Sequence, residues 1–227
     1  MASQRPHDMS LRSRPAAARI VPFAAYIGFL VAESALDGAL DRRWLYAAQV
    51  CVVAGLLAYL WPAYSELRAP GRARARDWLL AAALGAAVWA LWINLDLPWA
   101  RLGEGRGVAS DLTGGAALAG VALRVLGVVV LVPVMEELFW RSFLMRWLER
   151  PDFLAVPPQA VRWRAVALSS IVFGLEHHLW LAGILAGIAF AWLYRRTADL
   201  RLVIAAHALT NALLEIWVVR TGNWQLV

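Results

Sequence analysis

The chain has 227 residues, 61% of them hydrophobic and only 17% charged, with a formal net charge of +6. A soluble domain carries about 25% charged and about 45–50% apolar residues, so this apolar excess is too large for one soluble core. It comes in long blocks, which read as a polytopic membrane protein of one domain. The basic residues fall in short loops between the blocks, with no basic face and no reader motif, so no nucleic acid is expected as a partner.

Residues 1–18 form a polar, basic tail carrying Arg5, Arg12 and Arg14. A first span is expected from about Arg19 to Leu36. It reads as an uncleaved helix rather than a signal peptide, because no small-x-small cleavage site follows and further spans come after it. The second span runs from about Trp44 to Trp61 and the third from about Trp78 to Leu95, with Pro62 and Pro98 at helix ends. Cys51, inside the second block, is the single cysteine. One thiol excludes an intramolecular disulfide, a Cys-rich zinc site and an iron–sulfur cluster.

Residues 96–115 make the longest polar connection. Its Gly103-Glu104-Gly105-Arg106-Gly107 follows no strand and lacks the phosphate-binding fingerprint, so it reads as a flexible loop. The fourth apolar segment, about Ala116 to Leu148, would be about 50 Å long if fully helical. It is expected to cross at a tilt, with Pro133 loosening or kinking it one turn before two glutamates. A fifth segment starts near Ala165, and a sixth runs from about Leu179 to Tyr194. Both are short for full spans. The seventh runs from about Leu202 to Val219.

The expected fold is therefore all-α: a polytopic transmembrane helical bundle of about seven spans, within a range of six to eight. Trp44, Trp61, Trp78, Trp99, Trp147 and Trp163 fall at block ends and read as interfacial anchors. Four basic clusters (the N-terminal tail, Arg68 to Arg76, Arg146 to Arg164, and Arg195 to Arg201) fall on one side of seven crossings. The positive-inside rule puts that side, and the N-terminus, in the cytoplasm.

Three motifs carry chemistry. The first is Glu136-Glu137-x3-Arg141 within the fourth segment. A charge at the bilayer centre costs about 2.5–3.5 kcal/mol on insertion scales, so such residues mark a pathway, an ion pair or a catalytic site. Glu137 and Arg141 share a helical face in the favourable order and should pair. Glu136 points about 100° away with no partner on its own helix, and suits general acid–base work. The bland alternative is an ion pair that only fixes packing.

The second motif is Phe173-Gly174-Leu175-Glu176-His177-His178. Phe173 and His177 share a face, and Gly174 permits close helix approach. His177 and His178 point different ways, so one of them is expected to face a site, with Glu176 secondary. The third motif, His207-x3-Asn211, places two hydrogen-bond donors one turn apart, which suits an oxyanion pocket or an interhelical clasp. Counted from the nearest basic cluster, Glu136 lies about 15 Å deep, His207 about 9 Å and His177 about 20 Å if its helix is straight.

These motifs, in this order, resemble the CPBP family of intramembrane proteases, which includes the CAAX prenyl endopeptidases and many bacterial relatives, some linked to bacteriocin self-immunity. The family pattern Glu-Glu-x3-Arg, Phe-x3-His, His-x3-Asn/Asp is met by Glu136/Glu137/Arg141, Phe173/His177 and His207/Asn211. Residues 132–146, 173–178, 180–187 and 194–197 look like the CAAX-protease-related subgroup that accompanies exosortase systems in bacteria. The chain thus reads as a basic tail over 1–18 and a single transmembrane domain over 19–227; the resemblance puts the catalytic core in 116–227 and implies residence in a bacterial inner membrane.

The resemblance also implies an intramembrane endopeptidase. Glu136 and His177 would activate a water, His207 and Asn211 would stabilise the oxyanion, and Glu137 and Arg141 would brace the site or hold substrate, with Phe173 and His178 supporting. A metal-free glutamate mechanism is expected. A zinc alternative would use Glu136, His177 and His207 as three ligands. Expected partners are membrane lipid, a peptide or membrane-anchored protein substrate and exosortase-system proteins. Two other readings stay open. One is a catalytically silent scaffold or immunity factor. The other is a proton-coupled transporter, disfavoured by the lack of an internal repeat.

Overall fold

The computed structural model describes residues 11–36, 41–69, 71, 73–103 and 117–226. Most of the basic tail and nearly all of the glycine-rich loop lie outside the described residues. The described chain is helical throughout, with no strand among the described residues. It divides into two compact units, Met1–Ala69 and Pro70–Val227. That boundary falls in the basic Arg68–Arg76 connection.

In the first unit, α1 (Pro15–Ala35) and α2 (Arg42–Leu60) pack side by side. Pro15 opens α1, where its missing N–H costs nothing. Asp41 caps α2 by accepting from the Arg43 backbone N–H at 2.9 Å. A single turn, Ser65–Arg68, then places Glu66 against Arg19. Arg19 is 1% exposed, and its guanidinium also donates to Pro15 O at 2.8 Å and Ala63 O at 3.3 Å. A charge this buried persists only when paired and hydrogen-bonded in this way.

The second unit holds α3 (Ala75–Asn94), α4 (117–147), α5 (Trp163–Leu175), α6 (Trp180–Thr197) and α7 (Leu200–Thr221). Pro133 does not break α4. The helix runs through it with π-helical stretches at Val125–Leu131 and Leu138–Leu144 on either side of Val132–Glu137. Val132 N–H reaches back five residues to Gly127 O, so the loosening expected at the proline takes the form of a wider turn.

α1, α2 with the turn that follows it, α3 and α7 are each long and apolar enough to cross a membrane. α5, at 13 residues, is about 20 Å long, short of the roughly 30 Å hydrocarbon core. It pairs with α6 as a tight antiparallel hairpin. The six block-end tryptophans are all 45–77% exposed, as side chains facing lipid or headgroups would be. The molecule is an integral membrane protein with a helical bundle.

Glycine sets the α5–α6 distance. A methyl group on Gly183 would lie 2.8 Å from Gly174 Cα, and one on Gly174 would lie 2.6 Å from Trp180 O. The two backbones touch, which places the tip of the hairpin, residues 176–179, where the second motif ends. Gly174→Ala should therefore destabilise the protein by about 1–3 kcal/mol through overpacking. Gly28→Ala in α1, with nothing within 4 Å of the added methyl, should be neutral or stabilise by up to about 1 kcal/mol. Thermal unfolding in detergent micelles checks the pair.

Candidate active site

The first motif lies at the centre of the second unit. Glu137 has no exposed surface, and Arg141 is 2% exposed. The two pair within α4, with Arg141 Nε 3.2 Å from Glu137 Oε2, as their spacing predicts. The other carboxylate oxygen takes a partner the sequence did not indicate: His207 Nδ1, on α7, lies 2.8 Å from Glu137 Oε1. One carboxylate thus bridges a guanidinium on its own helix and an imidazole on another.

Arg141 extends the network to the α5–α6 hairpin. Its Nη2 donates to Gly187 O at 3.4 Å, and its guanidinium lies 4.3 Å from the centre of the Phe173 ring and 5.5 Å from that of Phe190. A cation over aromatic faces is stabilised by their quadrupoles, most strongly when desolvated. Phe190 also stacks on His207, with centroids 5.0 Å apart and planes at 23°. Phe190 and Gly187 were not expected in the site. The Gly183-x3-Gly187-x2-Phe190 spacing on one face of α6 was the available signal.

Glu136 differs from its neighbour. It is buried, and its Oε2 has no hydrogen-bond partner among the described residues. His207 Nε2 lies 3.9 Å from that oxygen. With Nδ1 engaged by Glu137, His207 presents its second nitrogen to the space beside Glu136. A buried carboxyl oxygen without a partner is costly and calls for a ligand or a chemical role.

His177 sits just past the end of α5, at the hairpin tip, rather than on a straight helix. Its Nδ1 lies 2.8 Å from Phe173 O. A carbonyl can only accept, so Nδ1 carries the proton and Nε2 is left with the lone pair. The His177 ring packs on Phe173 at 4.7 Å, and Phe173 in turn stands edge-on to His207 at 6.4 Å. Phe173 is therefore the wall shared by both imidazoles.

Two expected residues are placed differently. His178 turns to the connection after α3, where its Nδ1 donates to Leu102 O at 2.9 Å and its carbonyl accepts from Leu102 N–H at 2.8 Å. Asn211 is half-buried on α7, and its amide nitrogen donates to Val128 O of α4 at 2.9 Å. One of its two N–H groups is thus committed to tying α7 to the π stretch. Glu176 is exposed.

Among the described residues, no three His, Cys, Asp or Glu side chains converge where a metal ion could be held.

The family model of the Rce1-like type II CAAX prenyl endopeptidases matches residues 117–213. This stretch is similar to the Rce1-like CAAX endopeptidase domain over somewhat less than half of the chain. It contains Glu136, Glu137, Arg141, Phe173, His177, His178, His207 and Asn211. It leaves α3 and the turn after α7 outside. No curated protein and no solved structure matches the chain. The Rce1-like match and the apolar helices agree on a membrane-embedded peptidase class.

Removing Arg141 would leave Glu137 buried with half of its pairing lost. Arg141→Met should cost about 3–5 kcal/mol, the usual penalty for breaking a buried pair. Arg150→Met, whose contact with Asp152 is exposed on both sides and 3.8 Å long, should cost less than about 1 kcal/mol. Unfolding titrations of both variants in mixed micelles test the contrast.

Proposed function

We propose that the protein is an intramembrane endopeptidase that hydrolyses a peptide bond with a water activated by Glu136 and His177. The observation that carries this reading is the unpartnered, buried Glu136 oxygen facing His207 Nε2 at 3.9 Å, within a domain matched by CAAX-type endopeptidases. Glu137 is held by Arg141 at 3.2 Å and His207 at 2.8 Å, whereas Glu136 has its basic contact at 3.9 Å, which leaves its carboxylate room for a water.

The steps follow from the groups present. Glu136 takes a proton from water as the water oxygen bonds to the scissile carbonyl carbon. His177, with its lone pair on Nε2, accepts a hydrogen bond from the same water and orients it. His207, held through Nδ1 by Glu137, donates from Nε2 to the oxyanion as an imidazolium, in which both ring nitrogens carry protons, and the uncommitted Asn211 N–H supplies a second donor. The carbon–nitrogen bond then breaks, and Glu136 returns its proton to the leaving amine. Glu137 and Arg141 fix His207 and make no contact with the reacting atoms.

The positive-inside rule supports a cytoplasmic N-terminus. The short α5–α6 hairpin leaves that orientation unchanged, because two half-crossings or two full ones both return the chain to the same side. The substrate is a peptide or membrane-anchored protein cut near the cytoplasmic interface of a bacterial inner membrane. Exosortase-system proteins are proposed partners on the resemblance of residues 132–146 and 173–187.

Glu136→Gln removes the proton acceptor and keeps the shape. Comparing protein C-termini in cells carrying the native and Glu136→Gln forms should show a set of peptides cleaved only by the native protein. The loss should be about 100-fold to 10,000-fold in cleavage rate; an unchanged set would support the silent scaffold. A metal-free glutamate mechanism requires that dialysis of the purified protein against a chelator leave cleavage of those peptides intact. Loss on chelation, restored by zinc, would return the metal reading.

A further inference from the structure

His177 is held on more than one side, and part of its support lies outside the Rce1-like domain. Phe173 lies against one side of its ring, at 4.7 Å, and accepts the Nδ1 proton through its carbonyl. Trp92, near the end of α3, meets the ring edge-on at 5.3 Å with planes at 79°. Trp92 is 9% exposed, and its indole Nε1 donates to Leu226 O at 3.0 Å. Leu226 belongs to the short turn Trp224–Leu226 that follows α7 and is itself 3% exposed.

That turn is pinned at a second point. The Trp224 ring lies under the Arg124 guanidinium at 5.4 Å. Arg124 makes a two-pronged ion pair with Glu215 of α7, with contacts of 2.7 and 2.8 Å. A forked pair of this kind fixes direction as well as distance. A chain of contacts therefore runs from Glu215 through Arg124, Trp224, Leu226 and Trp92 to the His177 ring.

We propose that Trp92 is a positioning residue for His177, and that the turn Trp224–Leu226 acts through it. The Phe173 carbonyl fixes one ring nitrogen but leaves the ring free to tilt about that bond. The indole edge removes this freedom and sets where Nε2 points. The tether to Leu226 keeps the indole itself from turning away. The proposal rests on the reading of His177 as the group that orients water, and its test is built to separate the two.

The chain has four histidines, so labelling with ring-15N histidine gives a spectrum in which His177→Asn identifies the His177 signals. In the full chain in detergent micelles, native His177 should show the Nδ1–H tautomer. In Trp92→Leu and in Trp224→Ala the ring is free to tilt off the Phe173 carbonyl, and the ratio of that tautomer to the Nε2–H form should fall by roughly two- to tenfold as that hydrogen bond weakens. Trp92→Phe keeps an aromatic ring and loses the N–H, and covers the case that the leucine variant fails to fold. It should fall between the two.

With the peptides identified by the Glu136→Gln comparison, Trp92→Leu should lose kcat on the order of ten- to a hundredfold with KM unchanged. His177 signals identical to native in all three variants would overturn the positioning role, whatever the cleavage result. Shifted His177 signals in a protein whose native form cleaves nothing would uphold the positioning and overturn the peptidase reading.

Discussion

One carboxylate without exposed surface organises the second unit. Glu137 cannot remain charged in an apolar interior unless its carboxylate is paired. One oxygen meets Arg141 at 3.2 Å and the other His207 at 2.8 Å. Through those two partners the acid reaches four helices. Arg141 extends to Gly187 O on α6 and to the Phe173 ring on α5, and His207 brings in α7. The same arrangement decides what its neighbour can do. With Glu137 consuming Arg141 and His207 Nδ1, Glu136 is left buried and adjacent, its Oε2 without a hydrogen bond and 3.9 Å from the remaining nitrogen of His207.

Close backbone approach is the second constraint, and it serves the first. Arg141 reaches Gly187 O at a point where α6, lacking a side chain, lies close against α5. A methyl group on Gly187 would lie 2.9 Å from Ser170 Cβ. Gly85 does the same between α3 and α7, where its carbonyl accepts from Thr210 Oγ1 at 2.9 Å. In lipid, packing and interhelical hydrogen bonds drive association in place of the hydrophobic effect, so small residues at these contacts set the geometry. The α5–α6 hairpin ends at His177 for this reason, and the third helix can bring Trp92 against it.

The sequence made the local part of this legible. Each helix starts and stops within a few residues of the spans read from hydropathy. The Glu137–Arg141 pair follows from four-residue spacing alone. What spacing cannot reveal is a partner on another helix. The bonds from His207 to Glu137, Asn211 to Val128, and Arg124 to Glu215 join residues 70, 83 and 91 positions apart. Each depends on which faces meet after packing. Asn211 and His207 share a face and so looked like one pocket, yet the nearer demand of a buried carbonyl on α4 claims one amide N–H. His178 was a candidate because it adjoins His177, but the hairpin tip turns it to Leu102. Nothing in the pattern of α3 distinguishes Trp92 from the other tryptophans, because its role is set by the turn 134 residues later.

The central claim is that Glu137 and His207 are energetically one unit. A double-mutant cycle with Glu137→Gln and His207→Gln, read by reversible unfolding in mixed micelles, measures this directly. The account predicts a coupling energy of about 1–3 kcal/mol between the two positions. Additive effects, within about 0.5 kcal/mol, would mean that His207 is not held by Glu137, and the arrangement that leaves Glu136 free would have no foundation.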